Sequence, residues 1–195
     1  MKLIFATNNE HKLEEIRAII NPSFEISGLR EMGIYEDIPE TASTLEGNAT
    51  QKANYIFNKL GMPCFADDTG LEVEALDHRP GVFSSRYAGP EGIAENNINK
   101  LLKELSGVTN RKARFRTIIA FVHQSRVYHF EGIVHGIITE EKRGNRGFGY
   151  DPVFLPRDSD NTFAQMLLTE KNKISHRSLA LQKFIHFLNS YQLNP

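Results

Sequence analysis

The 195-residue chain has one cysteine, no tryptophan and almost no net charge, with 24 acidic side chains set against 23 basic ones. A lone Cys64 closes no intramolecular disulfide and belongs to no zinc-binding cluster, so a reducing, cytoplasmic compartment is expected. The charge balance argues against a protein that coats DNA or RNA, because such affinity comes from many uncompensated Lys and Arg on phosphates. A short polyanion stays open as a ligand, since local charge can differ from the sum. Long apolar runs are missing as well. The opening stretch Leu3–Ala6 stops at Thr7-Asn8-Asn9-Glu10-His11-Lys12, unlike a signal peptide, and the best later run, Ile118–Val122, suits a strand rather than a membrane span. No repeat, low-complexity tract or Pro/Gly/Ser linker divides the sequence.

With 40% hydrophobic and 24% charged residues, the chain has the composition of an ordinary globular protein. A strand near Lys2–Ala6 leads into a helix with Leu13, Ile16 and Ile20 on one face, and Phe24–Ser27 reads as the next strand. Ser43-Thr44-Leu45-Glu46 has the form of a capping box before a helix with Leu45, Ala49, Ala53, Ile56 and Leu60 on its stripe. Cys64–Ala66 and Leu71–Leu76 read as short strands around an acidic turn, and Pro90-Glu91 as a helix start. Strands near Lys112–His123 and Arg126–Thr139 lie close enough to form a hairpin, and a last helix begins near Ser175. Helices alternate with strands early and strands pair later. The expectation is an α/β protein with a mixed sheet, one domain over residues 1–195 with two lobes.

Ala66-Asp67-Asp68-Thr69-Gly70 is the sharpest local signal. Two adjacent carboxylates after an apolar strand are costly to bury unless a cation compensates them, and oxygen ligands favour Mg²⁺ with substrate phosphates. In a regular strand the pair would point to opposite faces, so a turn at Gly70 is expected to gather them. A solvated Asp-Asp turn is the plainer reading. Glu40 is a candidate third carboxylate, or a simple loop acid. Asn48 and Lys52, four apart on one helix flank, could face the same place, although Lys52 also suits a stem lying along the core edge.

Thr7-Asn8-Asn9-Glu10-His11-Lys12 sits where a strand passes into a helix, whose unpaired N–H groups offer an anion site that Lys12 completes; Asn8 or Asn9 also suits a plain cap. In Gly144-Asn145-Arg146-Gly147-Phe148-Gly149-Tyr150-Asp151-Pro152, glycines allow close backbone approach and Phe148 offers a flat face to a base; a flexible hairpin loop is the alternative. Lys171, Lys173, His176 and Arg177 read as cations at a helix start, which oppose the dipole unless an anion sits there. Lys112, Arg114 and Arg116 suit the wet face of a strand. His123, His129 and His135 lack metal-ligand spacing, and Cys64 suits a buried, inert thiol.

Taken together these segments resemble the inosine triphosphate pyrophosphatase family, the XTP/dITP diphosphatases. The resemblance runs from Thr7 to about Leu181 and also rests on Glu46-Gly47-Asn48-Ala49 with Lys52-Ala53, on Pro80 to Gly89, and on Glu170-Lys171-Asn172 with Ser175-His176-Arg177. It implies a curved, elongated α/β fold, a homodimer and Mg²⁺. The implied activity is hydrolysis of deaminated or oxidised purine nucleoside triphosphates to the monophosphate and pyrophosphate, a cleansing of the nucleotide pool. Asp68 matches the general base, with Glu40, Asp68 and additionally Asp67 at the metal. Thr7, Asn8, Asn9, Glu10, His11, Lys12, Lys52, Thr69, Phe148, Gly149, Tyr150, Asp151, Lys171, His176 and Arg177 are expected at the substrate. Asn8 stands where Gly is frequent, Thr69 where Ser is usual, and Gln165 where Glu is common. The rival readings are a pyrophosphatase for pyrimidine or other modified nucleotides, a non-catalytic nucleotide sensor and an RNA-binding module.

Overall fold

A computed structural model describes residues 2–17 and 19–191, apart from the side chains of His11 and Glu15. Strands β1 (Lys2–Phe5) and β2 (Glu25–Ser27) flank helix α1 (Glu10–Arg17), and α2 (Leu45–Leu60) precedes β3 (Cys64–Val73) and the short β4 (Pro80–Gly81). Helix α3 (Ala94–Glu104), β5 (Lys112–His123), β6 (Arg126–Ile138), β7 (Phe154–Pro156), α4 (Leu168–Ile174) and α5 (His176–Ser190) complete the order. Strands follow the hydrogen-bonded order β2-β1-β3-β5-β6-β7, with β4 on β3. β1 runs parallel to β2 and β3, with Ile4 opposite Cys64, whereas β4 and β7 pair antiparallel with β3 and β6. This is the expected mixed sheet. The β5–β6 hairpin turns on Gln124 and Ser125, both at positive φ, as a two-residue turn that follows the twist of its strands requires.

The described residues form two compact units. One comprises those of Met1–Asp68, Ile118–Glu131 and Ala180–Pro195; the other comprises Thr69–Thr117 and Gly132–Leu179. The chain passes from one to the other inside β3, β5, β6 and α5. The first unit packs Leu3, Phe5, Phe65, Phe121 and Phe184 together, the Phe5 and Phe65 rings stacked with centres 4.4 Å apart. The second buries Leu71, Val73, Leu101, Leu105, Phe115, Phe154 and Phe163, with Phe115 edge-on to Phe154. Each fully buried side chain of this size contributes roughly 1.5–3 kcal/mol to folding, so each unit has a core of its own.

Three local expectations are corrected, and one helix, α4, adds to them. β3 is one ten-residue strand and does not turn at Gly70. The α2 cap is Thr44, whose hydroxyl accepts the Gly47 N–H at 3.0 Å, one residue later than the capping-box pattern places it. A Cβ at Gly47 would stand 2.5 Å from that of Ala42, so the third helical position takes no Glu. Pro90–Gly92 forms a turn with Gly92 at positive φ, and α3 begins only at Ala94. Helix α4 has no apolar stripe to announce it: Leu168 and Ile174 are exposed, and Lys171 is its buried residue.

Candidate active site

In the first unit, β3 carries Asp67 and Asp68 next to each other, and strand alternation sends them to lysines of different helices. Lys12, in the first turn of α1, places Nζ 2.7 Å from Asp67 Oδ1, and Asp67 is only 3% exposed. On the other side Lys52 of α2 reaches both Glu40 Oε1 at 2.5 Å and Asp68 Oδ1 at 3.3 Å. Asn48, one helical turn before Lys52 and fully buried, donates from Nδ2 to Asp68 Oδ2 at 3.3 Å and accepts the Ala42 N–H at 2.9 Å. Lys52 is therefore no snorkelling stem: it is buried among carboxylates. Burial disfavours its ammonium, but Asp68, Asp67 and Glu40 together outweigh that and hold its pKa above the ordinary value. Burial likewise pushes the Asp68 carboxyl up; Lys52 opposes the rise, and Glu40 and Asp67 add to it.

The α1 entrance is built as the sequence suggests. Asn9 caps the helix by accepting the Lys12 N–H at 3.3 Å, and Thr7 Oγ1 accepts the Asn9 N–H at 3.2 Å. Asn8 is half-buried, Asn9 and Glu10 are exposed, and the His11 side chain lies outside the described residues. Among the described residues no three His, Cys, Asp or Glu side chains are gathered to hold a metal by themselves, so Glu40, Asp67 and Asp68 do not form one carboxylate cage. Two carboxylates meeting at one ammonium still suit Mg²⁺. That ion takes one or two protein carboxylates and completes its shell with water and phosphate.

In the second unit, the glycine-rich loop is tied to a buried carboxylate. Gly147 has φ of +75°, and a Cβ there would stand 2.0 Å from Asp151 Oδ2. That buried carboxylate accepts the Phe148 N–H at 2.9 Å and pairs with Lys171 Nζ at 2.5 Å. Lys171 Nζ lies 4.8 Å from the Phe148 ring centre and Arg177 Cζ lies 5.7 Å from it, so two cations meet a ring that remains 59% exposed. His176 is buried and stacks on Phe115 with centres 4.5 Å apart. The expected row of cations at one helix start is divided. Lys171 and Lys173 end α4, where the dipole favours them, while His176 and Arg177 open α5.

The Tyr150 side chain points into the core: it is 4% exposed and its hydroxyl donates to the Ser84 carbonyl at 2.9 Å. The segment Pro80–Gly89 braces the same unit. Ser84 Oγ accepts the Leu71 N–H at 2.8 Å, and the buried Asn97 donates to the Ser85 carbonyl and accepts the Ala88 N–H. Asn97 carries no sequence signal beyond its place in an amphipathic helix. Arg114 and Arg116 both pair with Glu72, and Cys64 donates to the Ala53 carbonyl with its thiol pushed up by burial to about 12, an inert group.

A sequence profile of the Ham1 family matches residues 3–187. The chain belongs to the Ham1 family. The Ham1-family relatives include the dITP/XTP pyrophosphatase of Porphyromonas gingivalis, 56% identical over 96% of this chain and 97% of the relative. They also include that of Flavobacterium johnsoniae, 50% identical over 97% and 99%. Among solved structures, the Staphylococcus aureus Ham1 protein superposes with a TM-score of 0.92 at 38% identity, covering 97% of this chain and 99% of that one. The HAM1 protein of Coxiella burnetii gives 0.94 at 35% identity, covering 98% and 100%. The family resemblance and the α/β fold class expected from the sequence are borne out. No helix among the described residues is long and apolar enough to cross a membrane.

Proposed function

We propose that this Ham1-family chain hydrolyses deaminated or oxidised purine nucleoside triphosphates, ITP, dITP and XTP, to the monophosphate and pyrophosphate, and so cleanses the nucleotide pool. The observation that carries this reading is the group in which half-buried Asp68 and Glu40 meet buried Asn48 and Lys52, an acid–base and charge-neutralising set of the kind phosphoryl chemistry needs. Glu40 and Asp68 are the residues that would hold Mg²⁺, which when bound supplies charge neutralisation at the phosphate oxygens. Asp68 orients and deprotonates the water that attacks the α-phosphorus, Asn48 fixes the carboxylate from one side, and Lys12 and Lys52 offset phosphate charge. Pyrophosphate leaves in one step.

The purine is assigned to the exposed face of Phe148, beside Lys171 and Arg177. Donors there, with His176, suit a 6-oxo group, whereas an adenine amino group would set donor against donor. Asp151, Gly149 and the Tyr150 backbone shape that loop, and Thr69 contacts the nucleotide. A homodimeric, cytoplasmic protein without nucleic-acid partners completes the reading; a monomeric mass by light scattering, or RNA binding with a steep salt dependence, counts against it.

The test is a panel of nucleoside triphosphates with pyrophosphate detection, run with Mg²⁺ and with a chelator. ITP, dITP and XTP are expected to turn over with Mg²⁺ only, and Asp68→Asn is expected to lose at least about 100-fold in kcat. Equal turnover of dTTP or UTP, or an unaffected Asp68→Asn variant, overturns the reading.

A further inference from the structure

A fully buried threonine in the middle of β5 has no packing reason for its hydroxyl, since valine has the same shape without the cost of desolvating a polar group. Thr117 is such a residue: it is 0% exposed and follows Phe115 along the strand. Its Oγ1 lies 2.8 Å from Oγ1 of Thr69, and this is the hydroxyl's one side-chain partner among the described residues. Thr69 is half-buried, makes no other side-chain hydrogen bond among them, and directly follows Asp68 on β3.

Two hydroxyls share two protons and one short contact. If Thr69 donated, the Thr117 proton would be sealed in the interior without an acceptor, at the full desolvation penalty. If Thr117 donates, its proton is satisfied, and the Thr69 proton is left to point toward the accessible side. We infer that Thr117 is a positioning residue that fixes Thr69 as an outward hydrogen-bond donor, and that the acceptor is an anionic phosphate oxygen of the nucleotide. The inference rests on the proposed role of Thr69 at the substrate. A threonine at position 69 keeps the hydroxyl of the usual serine, and the β-branch restricts its rotation as well.

The experiment compares Thr117→Val, Thr117→Ser, Thr69→Val and the double Val variant in ITP hydrolysis, with thermal unfolding run alongside. Thr117→Val is expected to raise KM about 3- to 10-fold with kcat nearly unchanged, the effect of misdirecting one hydrogen bond. Thr117→Ser is expected to restore KM, and the double variant to be no worse than Thr69→Val alone. An unchanged KM in Thr117→Val overturns the inference, as does a loss that persists in the Thr69→Val background or one that serine does not rescue. Calorimetric binding of ITP in chelator reads the same comparison without turnover. A wild type that binds ITP but does not hydrolyse it therefore sinks the proposed activity alone, while equal affinity in wild type and Thr117→Val sinks the positioning role alone.

Discussion

The Lys171 ammonium stands 2.5 Å from the Asp151 carboxylate, with both side chains almost withdrawn from water. Asp151 also accepts the Phe148 N–H, so a single carboxylate ties the last turn of α4 to the loop that presents the aromatic face. Removing one partner of a buried pair leaves the other charge uncompensated, which costs roughly 3–5 kcal/mol. Asp151→Ala is therefore expected to lower the stability of the protein by about that amount in urea unfolding; Asp151→Asn also loses the charge and is expected to be destabilised, by less only to the extent that its amide oxygen still accepts from Phe148 and Lys171. Equal stability of Asp151→Ala and wild type contradicts the pair's role.

Gly147 is required for two reasons at once, its positive φ and the space its missing Cβ leaves for Asp151. Gly147→Ala puts carbon where the carboxylate now sits and strains the backbone as well. The expected cost is about 1–3 kcal/mol in stability. Because the loop carries Phe148, KM for ITP is expected to rise more than kcat falls. Gly149→Ala is the informative companion, since nothing lies near its would-be Cβ although its φ is also positive. It is expected to show the backbone strain alone and so to be the milder variant.

His123 supplies a pH dependence that is separate from the chemistry. Burial lowers its pKa from the ordinary value of 6.5, its ring lies beside Phe121, and its Nδ1 is 3.4 Å from the Tyr191 hydroxyl. A lowered folded-state pKa means that the folded protein prefers the neutral ring. The stability it contributes is present above the unfolded value and is lost as pH falls through it toward the folded value. The urea midpoint is thus expected to drop between pH 7.5 and pH 5.5, and His123→Phe to flatten that drop. An identical pH slope in the variant would show that the acid sensitivity arises elsewhere.

How much of this was legible in the residues varies with the kind of signal. β5 matched its expected bounds because Lys112, Arg114 and Arg116 alternate with buried Ala113, Phe115 and Thr117. α2 was visible in the spacing of Leu45, Ala49, Ala53 and Ile56. For β3 the sequence suggests two strands, because Asp67-Asp68-Thr69-Gly70 looks like a turn. The strand continues because Lys12 and Lys52 meet the two carboxylates from different helices, and the backbone never has to bend to bring them together. α4 has no local signal because it buries a lysine instead of an apolar stripe, and Lys171 is held there by Asp151, twenty residues earlier, and by the faces of Phe148 and Phe163.

The sequence by itself determined the family, the order of most elements and the residue types of the site, because these depend on local periodicity and on motifs whose order survives without coordinates. Which charge answers which was decided only by tertiary structure: Lys12 with Asp67, Lys52 with Glu40 and Asp68, Lys171 with Asp151. The same holds for the hydroxyl pair of Thr69 and Thr117, forty-eight positions apart. Burial and electrostatic pairing are properties of distance in space. A chain with near-equal numbers of acids and bases offers many pairings, and packing of the strands and helices selects among them.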